Sequence, residues 1–207
     1  MVDPQTSTIV FARWLGSALS LDPNSVGRAL FGSAALLLIV AAFIRTWASS
    51  YLHAKVVYAS QVQTASLVAD GPYRHVRNPL YFANVLMAMG LGTMMSRTGC
   101  FVAVAAMLIF SYRLIRREES ELSASQGDQY LRYRNAVPRL WPSPWARVAS
   151  SGRPARWRDG FRAESWYWGF AAALTTFALT LKFTLFVVIL ASSLVLFWVS
   201  SAVLRKT

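Results

Sequence analysis

The chain has 207 residues, of which 55% are hydrophobic and only 14% charged, with a mean hydropathy of +0.38. An ordinary soluble domain carries about 25% charged residues, so the composition argues against one and for a membrane protein of one compact unit. The formal net charge of +12 invites a nucleic-acid reading. However, about half of the lysines and arginines fall between Arg113 and Arg162, beside apolar stretches, as cytoplasmic loops require. A nucleic-acid footprint needs a basic face on a soluble fold, and none is visible. Cys100 is the single cysteine, which excludes an intrachain disulfide and a multi-cysteine zinc site. His53 and His75 form no metal-binding spacing.

Met1-Val2-Asp3-Pro4 lacks the basic start of a signal peptide. Residues 9–20 are too short to span a hydrocarbon core of about 30 Å, and with Arg13 and Trp14 they read as an interfacial helix. Asp22-Pro23-Asn24 breaks it, with Asn24 or Ser25 as N-cap of the next element. Val26 to Trp47 is the first span, and Ser50 to Ala69, mixed in character, is expected to run along the membrane surface. Asp70-Gly71-Pro72 is a turn. Asn78-Pro79 opens the next helix, with Asn a good N-cap and Pro tolerated at the first position. Leu80–Met95 and Gly99–Ile115 form a hairpin of two short spans around Ser96-Arg97-Thr98. Residues 116–162, basic and containing Pro138, Pro142, Pro144 and Pro154, form a structured extramembrane region. A final hairpin occupies 164–204, with Lys182 at its tip. The fold expected is therefore all-α, a membrane bundle of about five transmembrane helices, N-terminus outside. Its basic flanks, and any pocket beside them, face the cytoplasm.

Two motifs stand out on either side of the first hairpin. The first comprises Leu67-Val68, Gly71-Pro72-Tyr73 and Arg77-Asn78-Pro79-Leu80-Tyr81. The second comprises Glu118-Glu119-Ser120-Glu121-Leu122, then Gly127, Tyr130, Tyr133 and Val137-Pro138. Ionisable groups at a membrane boundary cost free energy unless paired or solvated, so they mark a candidate site. In this order and spacing the two motifs resemble the isoprenylcysteine carboxyl methyltransferase and phospholipid methyltransferase superfamily, over roughly residues 47–142. The resemblance implies an integral membrane enzyme that uses S-adenosylmethionine. By position it assigns the cofactor to Ala65, Ser66, Leu67, Val68, Tyr73, Asn78, Pro79, Leu80, Tyr81 and Glu118. Glu119, Arg113 and Arg117 are its catalytic candidates. Two departures bear on the substrate. Asn78 stands where the family has a histidine, and Leu114 where the isoprenylcysteine enzymes have a substrate-facing arginine; Arg113, Arg116 and Arg117 flank that place.

The resemblance further implies a lipophilic acceptor entering from the bilayer, contact with membrane lipids, and no obligate protein partner. A lipid-amine N-methyltransferase is the nearest rival. An NADPH-dependent sterol-type reductase would use the arginines at 132, 134 and 139 for phosphates, and a non-catalytic scaffold would bind no cofactor. Each residue also has a plainer reading. Glu118 and Glu119 suit solvated charges paired with Arg116 and Arg117, Tyr73 and Tyr81 suit interfacial anchors, Arg74 and Arg77 suit headgroup charges, and Cys100 suits a packing residue. The tryptophans from Trp141 to Trp168 suit an aromatic belt.

Overall fold

A computed structural model describes residues 7–58 and 69–204 of the chain. The described residues are all-helical: α1 (Ser7–Leu19), α2 (Pro23–Tyr58), a 3₁₀ turn (Gly71–Arg74), α3 (Pro79–Gly92), α4 (Arg97–Ala136), α5 (Trp157–Ala163), α6 (Ser165–Thr180) and α7 (Phe183–Leu204). Two helices are long and apolar enough to cross a membrane, within Pro23–Leu52 and Arg97–Ala136.

Helix lengths differ from the sequence reading in two places, for one reason. Between Ser33 and Asp70 there is neither glycine nor proline, so nothing stops α2 at Trp47 and it runs on to Tyr58. The rest of the expected surface segment, 59–68, lies outside the described residues. Similarly, α4 passes Ile115 and continues through the polar stretch as far as Ala136, two residues before Pro138. Forty residues at 1.5 Å each make about 60 Å, twice a hydrocarbon core, so its polar second half extends past any such layer. Gly127, at φ 52° and ψ −132°, kinks that half, in a backbone region open essentially to glycine alone. The cap before α2 is Asp22 rather than Asn24 or Ser25. Its carboxylate accepts from the Ser25 N–H at 2.9 Å, which leaves Pro23 at the first helical position, where its missing N–H costs nothing.

Packing divides the chain into two compact units. One contains residues 1–42, 86–105 and 165–207. Its core centres on Phe31, Leu38, Leu174 and Phe177, with Ala34, Ala35, Ala171, Ala173 and Ala178 between them. The Phe31 and Phe177 rings meet edge-on at 4.8 Å, and the small residues let helix backbones approach, as helices in an apolar solvent require. Within this unit α6 and α7 pack as the expected hairpin.

The other unit contains residues 43–85 and 106–164, and so holds both motifs. Main-chain hydrogen bonds stitch the first to the segment after the second: Arg77 N–H to Pro138 O, Ser143 N–H to His75 O, and Arg147 N–H to Arg74 O, at 2.8–2.9 Å. The Tyr133 hydroxyl donates to Tyr73 O at 2.8 Å. Asp70 locks the other end. Its buried carboxylate accepts from Ser150 Oγ at 2.6 Å, from Ser151 N at 2.8 Å and from Ser151 Oγ. Burial works against that charge, but these hydrogen bonds outweigh it and hold the Asp70 pKa below its ordinary value. Helix α5, unforeseen in the sequence, lies against α2 through Gly160, where an added Cβ would come 2.5 Å from Thr46 O.

Candidate functional site

Within the motif-bearing unit lies a cavity of about 420 Å³. Tyr73 from the 3₁₀ turn, Arg77–Asn78, and Pro79, Leu80, Tyr81 and Asn84 from α3 form one side. Glu118, Glu119, Leu122, Tyr130 and Tyr133 from α4 form another, and α2 adds Arg45 and Leu52. Six of the sequence-predicted cofactor residues thus line one space: Tyr73, Asn78, Pro79, Leu80, Tyr81 and Glu118. The other four, Ala65, Ser66, Leu67 and Val68, lie outside the described residues.

The paired glutamates have different surroundings. Glu118 is exposed and accepts the Tyr81 hydroxyl at 2.6 Å. Glu119 is buried and takes two bonds from Arg139, at 3.0 Å from Nε and 2.9 Å from Nη2. Neither pairs with Arg116 or Arg117 among the contacts of the described residues. Arg117 instead reaches Glu121 at 3.0 Å on the solvent face, and Arg113 is exposed. Neither Arg113 nor Arg117 lines the cavity, and Leu114 is half-buried. The hydrogen bond it donates to Glu119 raises the Arg139 pKa further above its ordinary value, and its guanidinium also lies over the Tyr112 ring at 5.7 Å.

Asn78 does not spend its side chain on capping α3. Its Nδ2 donates to Arg139 O at 2.9 Å and reaches Glu119 Oε1 at 3.4 Å, so it ties the two motifs together. Burial, with the Tyr133 phenol nearby, pushes the Tyr73 phenol well above its ordinary pKa; at neutral pH it is a neutral group. His75 stands apart from the cavity lining, its Nδ1 donating to Ser143 O at 2.9 Å.

Sequence reasoning missed a second polar cluster. Arg45 reaches Glu164 through Nε at 2.5 Å and Nη2 at 3.2 Å, and Asn84 Oδ1 through Nη1 at 2.8 Å, while Ser49 Oγ donates to Glu164. A lone arginine following an apolar run, and a lone glutamate ahead of another, were the available signals. Their pairing across 119 positions was not. Arg77 also proves to be a cavity residue and not a surface charge: its side chain is only 8% exposed.

The described residues thus combine helices alone, two of them long and apolar enough to cross a membrane, with a cavity to which both motif segments contribute. Residues 30–128 match the phospholipid methyltransferase family, in the membrane methyltransferase superfamily that the two motifs resemble. The match and the apolar helices together point to a membrane protein and suggest a methyltransferase. Over 86 residues the chain is 30% identical to the cobalt-zinc-cadmium resistance protein CzcN of Cupriavidus metallidurans, covering 42% of this chain and 40% of that one. Over 121 residues it is 25% identical to the nickel-cobalt-cadmium resistance protein NccN of Alcaligenes xylosoxydans xylosoxydans, covering 58% and 54%. The chain thus aligns with roughly half, or less, of these curated relatives. No solved structure matches it.

Proposed function

We propose that this chain is an S-adenosylmethionine-dependent methyltransferase acting on a lipophilic membrane substrate. The observation that carries this reading is the single cavity to which both motif segments contribute. Its volume, about 420 Å³, lies in the range of small-molecule sites, about 300–1,000 Å³. The lining fits the cofactor in kind. Tyr73 and Tyr81 offer ring faces to a cation, Glu118 offers a carboxylate, and Leu52, Pro79, Leu80 and Leu122 offer apolar surface. When bound, S-adenosylmethionine supplies an activated methyl group for in-line displacement. The residues of the chain bind, orient and exclude water, which is where most of the rate gain arises.

An acceptor carboxylate is already ionised and needs no base. An acceptor amine must lose a proton, and Glu119, which lines the cavity, is then the acceptor in preference to His75, which does not. The family match favours a phospholipid-type acceptor. So do Leu114, at the family's arginine position, and the exposure of Arg113 and Arg117. The relatives' names connect them with metal resistance. Among the described residues no group of three His, Cys, Asp or Glu side chains is arranged to hold a metal ion, so the reading rests on the methyl-transfer cavity. We take the chain as multi-pass, with five spans, the cavity open to the cytoplasm, and the substrate entering from the bilayer.

Thermal shifts of the purified chain with S-adenosylmethionine and with NADPH test this reading. A ligand of the folded state at 100 times its Kd adds about 2.7 kcal/mol. Stabilisation by S-adenosylmethionine alone is expected, as is radiolabelled methyl transfer to a membrane lipid extract exceeding transfer to a prenylcysteine analogue. Stabilisation by NADPH alone would make the chain a reductase. Stabilisation by neither would make it a scaffold.

A further inference from the structure

Most charges around the cavity are paired off locally. Arg45 is satisfied by Glu164 and Asn84. Arg139 makes the two short bonds to Glu119, both to Oε2. Two charges are left over. Glu118 has no cationic partner in the ion pairs of the described residues and meets only the Tyr81 hydroxyl. Arg77 lies on the same cavity with its side chain 8% exposed, and its one ionic contact is long, from Nη2 to Glu119 Oε1 at 3.4 Å. Its Nε and Nη1 are buried with no hydrogen-bond partner among the described residues. The other polar neighbour, the Tyr130 hydroxyl, is neutral.

One buried carboxylate therefore faces two guanidinium groups, and the nearer one already neutralises it. A buried cation with unused N–H groups is costly unless an anion completes it, and a guanidinium fork matches a carboxylate or phosphate in particular. We infer that Arg77 is the seat of a ligand oxyanion, with Glu118 facing the ligand's cationic part, so that the cavity is built for a zwitterion. The inference rests on the methyl-transfer reading for its first source of the oxyanion, the amino-acid carboxylate of the cofactor. The second source is the phosphate of a lipid headgroup.

Calorimetry on the full chain in nanodiscs decides it, using two probes that share an adenosine thioether. S-adenosylhomocysteine carries the amino-acid carboxylate and methylthioadenosine lacks it. The wild type should favour the first by about tenfold or more, the size of a charge-assisted contact. Arg77→Gln should erase that preference and leave methylthioadenosine affinity nearly unchanged. Arg77→Lys, which keeps the charge but loses the fork, should fall between, and provides the readout if the glutamine variant does not fold. A third probe, glycerophosphoethanolamine, separates the sources: if only its binding is lost in Arg77→Gln, the oxyanion is a headgroup phosphate. Unchanged affinity for every probe in both variants overturns the inference, as does a wild type that neither prefers the carboxylate nor binds the phosphate probe. Failure of both thioethers to bind the wild type overturns the methyl-transfer reading instead, and the phosphate probe then judges Arg77 alone.

Discussion

Adjacent helix positions point about 100° apart, so the two carboxylates of a Glu-Glu pair leave the helix in different directions. Glu118 falls at the solvent edge of the cavity, while Glu119 is buried against Arg139. This split assigns ligand attraction to the first and inter-motif fastening to the second. Glu121, one turn on, stands on the exposed face with Arg117. Glu118→Gln should therefore weaken S-adenosylmethionine binding by about tenfold or more, the size of one charge-assisted contact, while Glu121→Gln changes it little. Calorimetric titration of the two variants checks this; equal, small losses would remove Glu118 from the site. The motif residues were readable in the sequence because they sit in two short, ordered runs. Arg45 with Glu164 was not, because its geometry exists only once α2 and the C-terminal end of α5 have folded together. Arg77 was readable as a cation but not as a buried one, since burial depends on the main-chain hydrogen bonds that join 74–77 to 138–147.

At the scale of elements, the sequence marks helix starts better than helix ends. Asp22-Pro23 and Asn78-Pro79 both fall where helices begin. The expected stops at Trp47 and Ile115 rested on hydropathy, which reports the surrounding solvent and not the backbone, so both helices run on. Two joints between elements are open to test. Gly160 lets α5 touch α2, and a methyl there meets backbone at Thr46 and Ser50. Gly160→Ala should cost about 1–3 kcal/mol by overpacking. Gly32→Ala, with open space around it, should be neutral or slightly stabilising through helix propensity; thermal melts of the two variants give the comparison. The Asp70 clamp has a pH signature. Its folded pKa lies below the ordinary value of 3.8, so its stabilisation is fully present above about pH 4 and is lost as pH falls through the folded value. Asp70→Asn should lower Tm at neutral pH, by the loss of about 1–3 kcal/mol of hydrogen bonding, and should flatten the acid limb of the wild-type Tm profile. A variant whose acid limb matches the wild type would show that the clamp carries no charge-linked stability.

For the molecule as a whole, the distribution of charge sets the orientation in a membrane. In the five-span arrangement proposed above, Arg45, Arg74, Arg77, the cluster from Arg113 to Arg117 and the basic loop from Arg132 to Arg162 would all fall at one set of span ends. Only Arg13, Arg28, Arg97 and Lys182 would fall at the other. Basic residues near span ends stay on the cytoplasmic side, so the bias predicts that the motif-bearing loops, and the cavity with them, face the cytoplasm, where a water-soluble cofactor is supplied. Thr98 and Lys182 are exposed at the two opposite turns, and Ala149 is exposed in the basic loop. In a chain whose Cys100 is replaced by alanine, single cysteines at Thr98 and Lys182 should react with an impermeant maleimide added to intact cells. One at Ala149 should react only after the membrane is opened. Labelling of Ala149 from outside would invert the arrangement, and labelling of Thr98 without Lys182 would change the number of spans. In the first case the cofactor would have to reach the cavity from a side where the cell does not supply it.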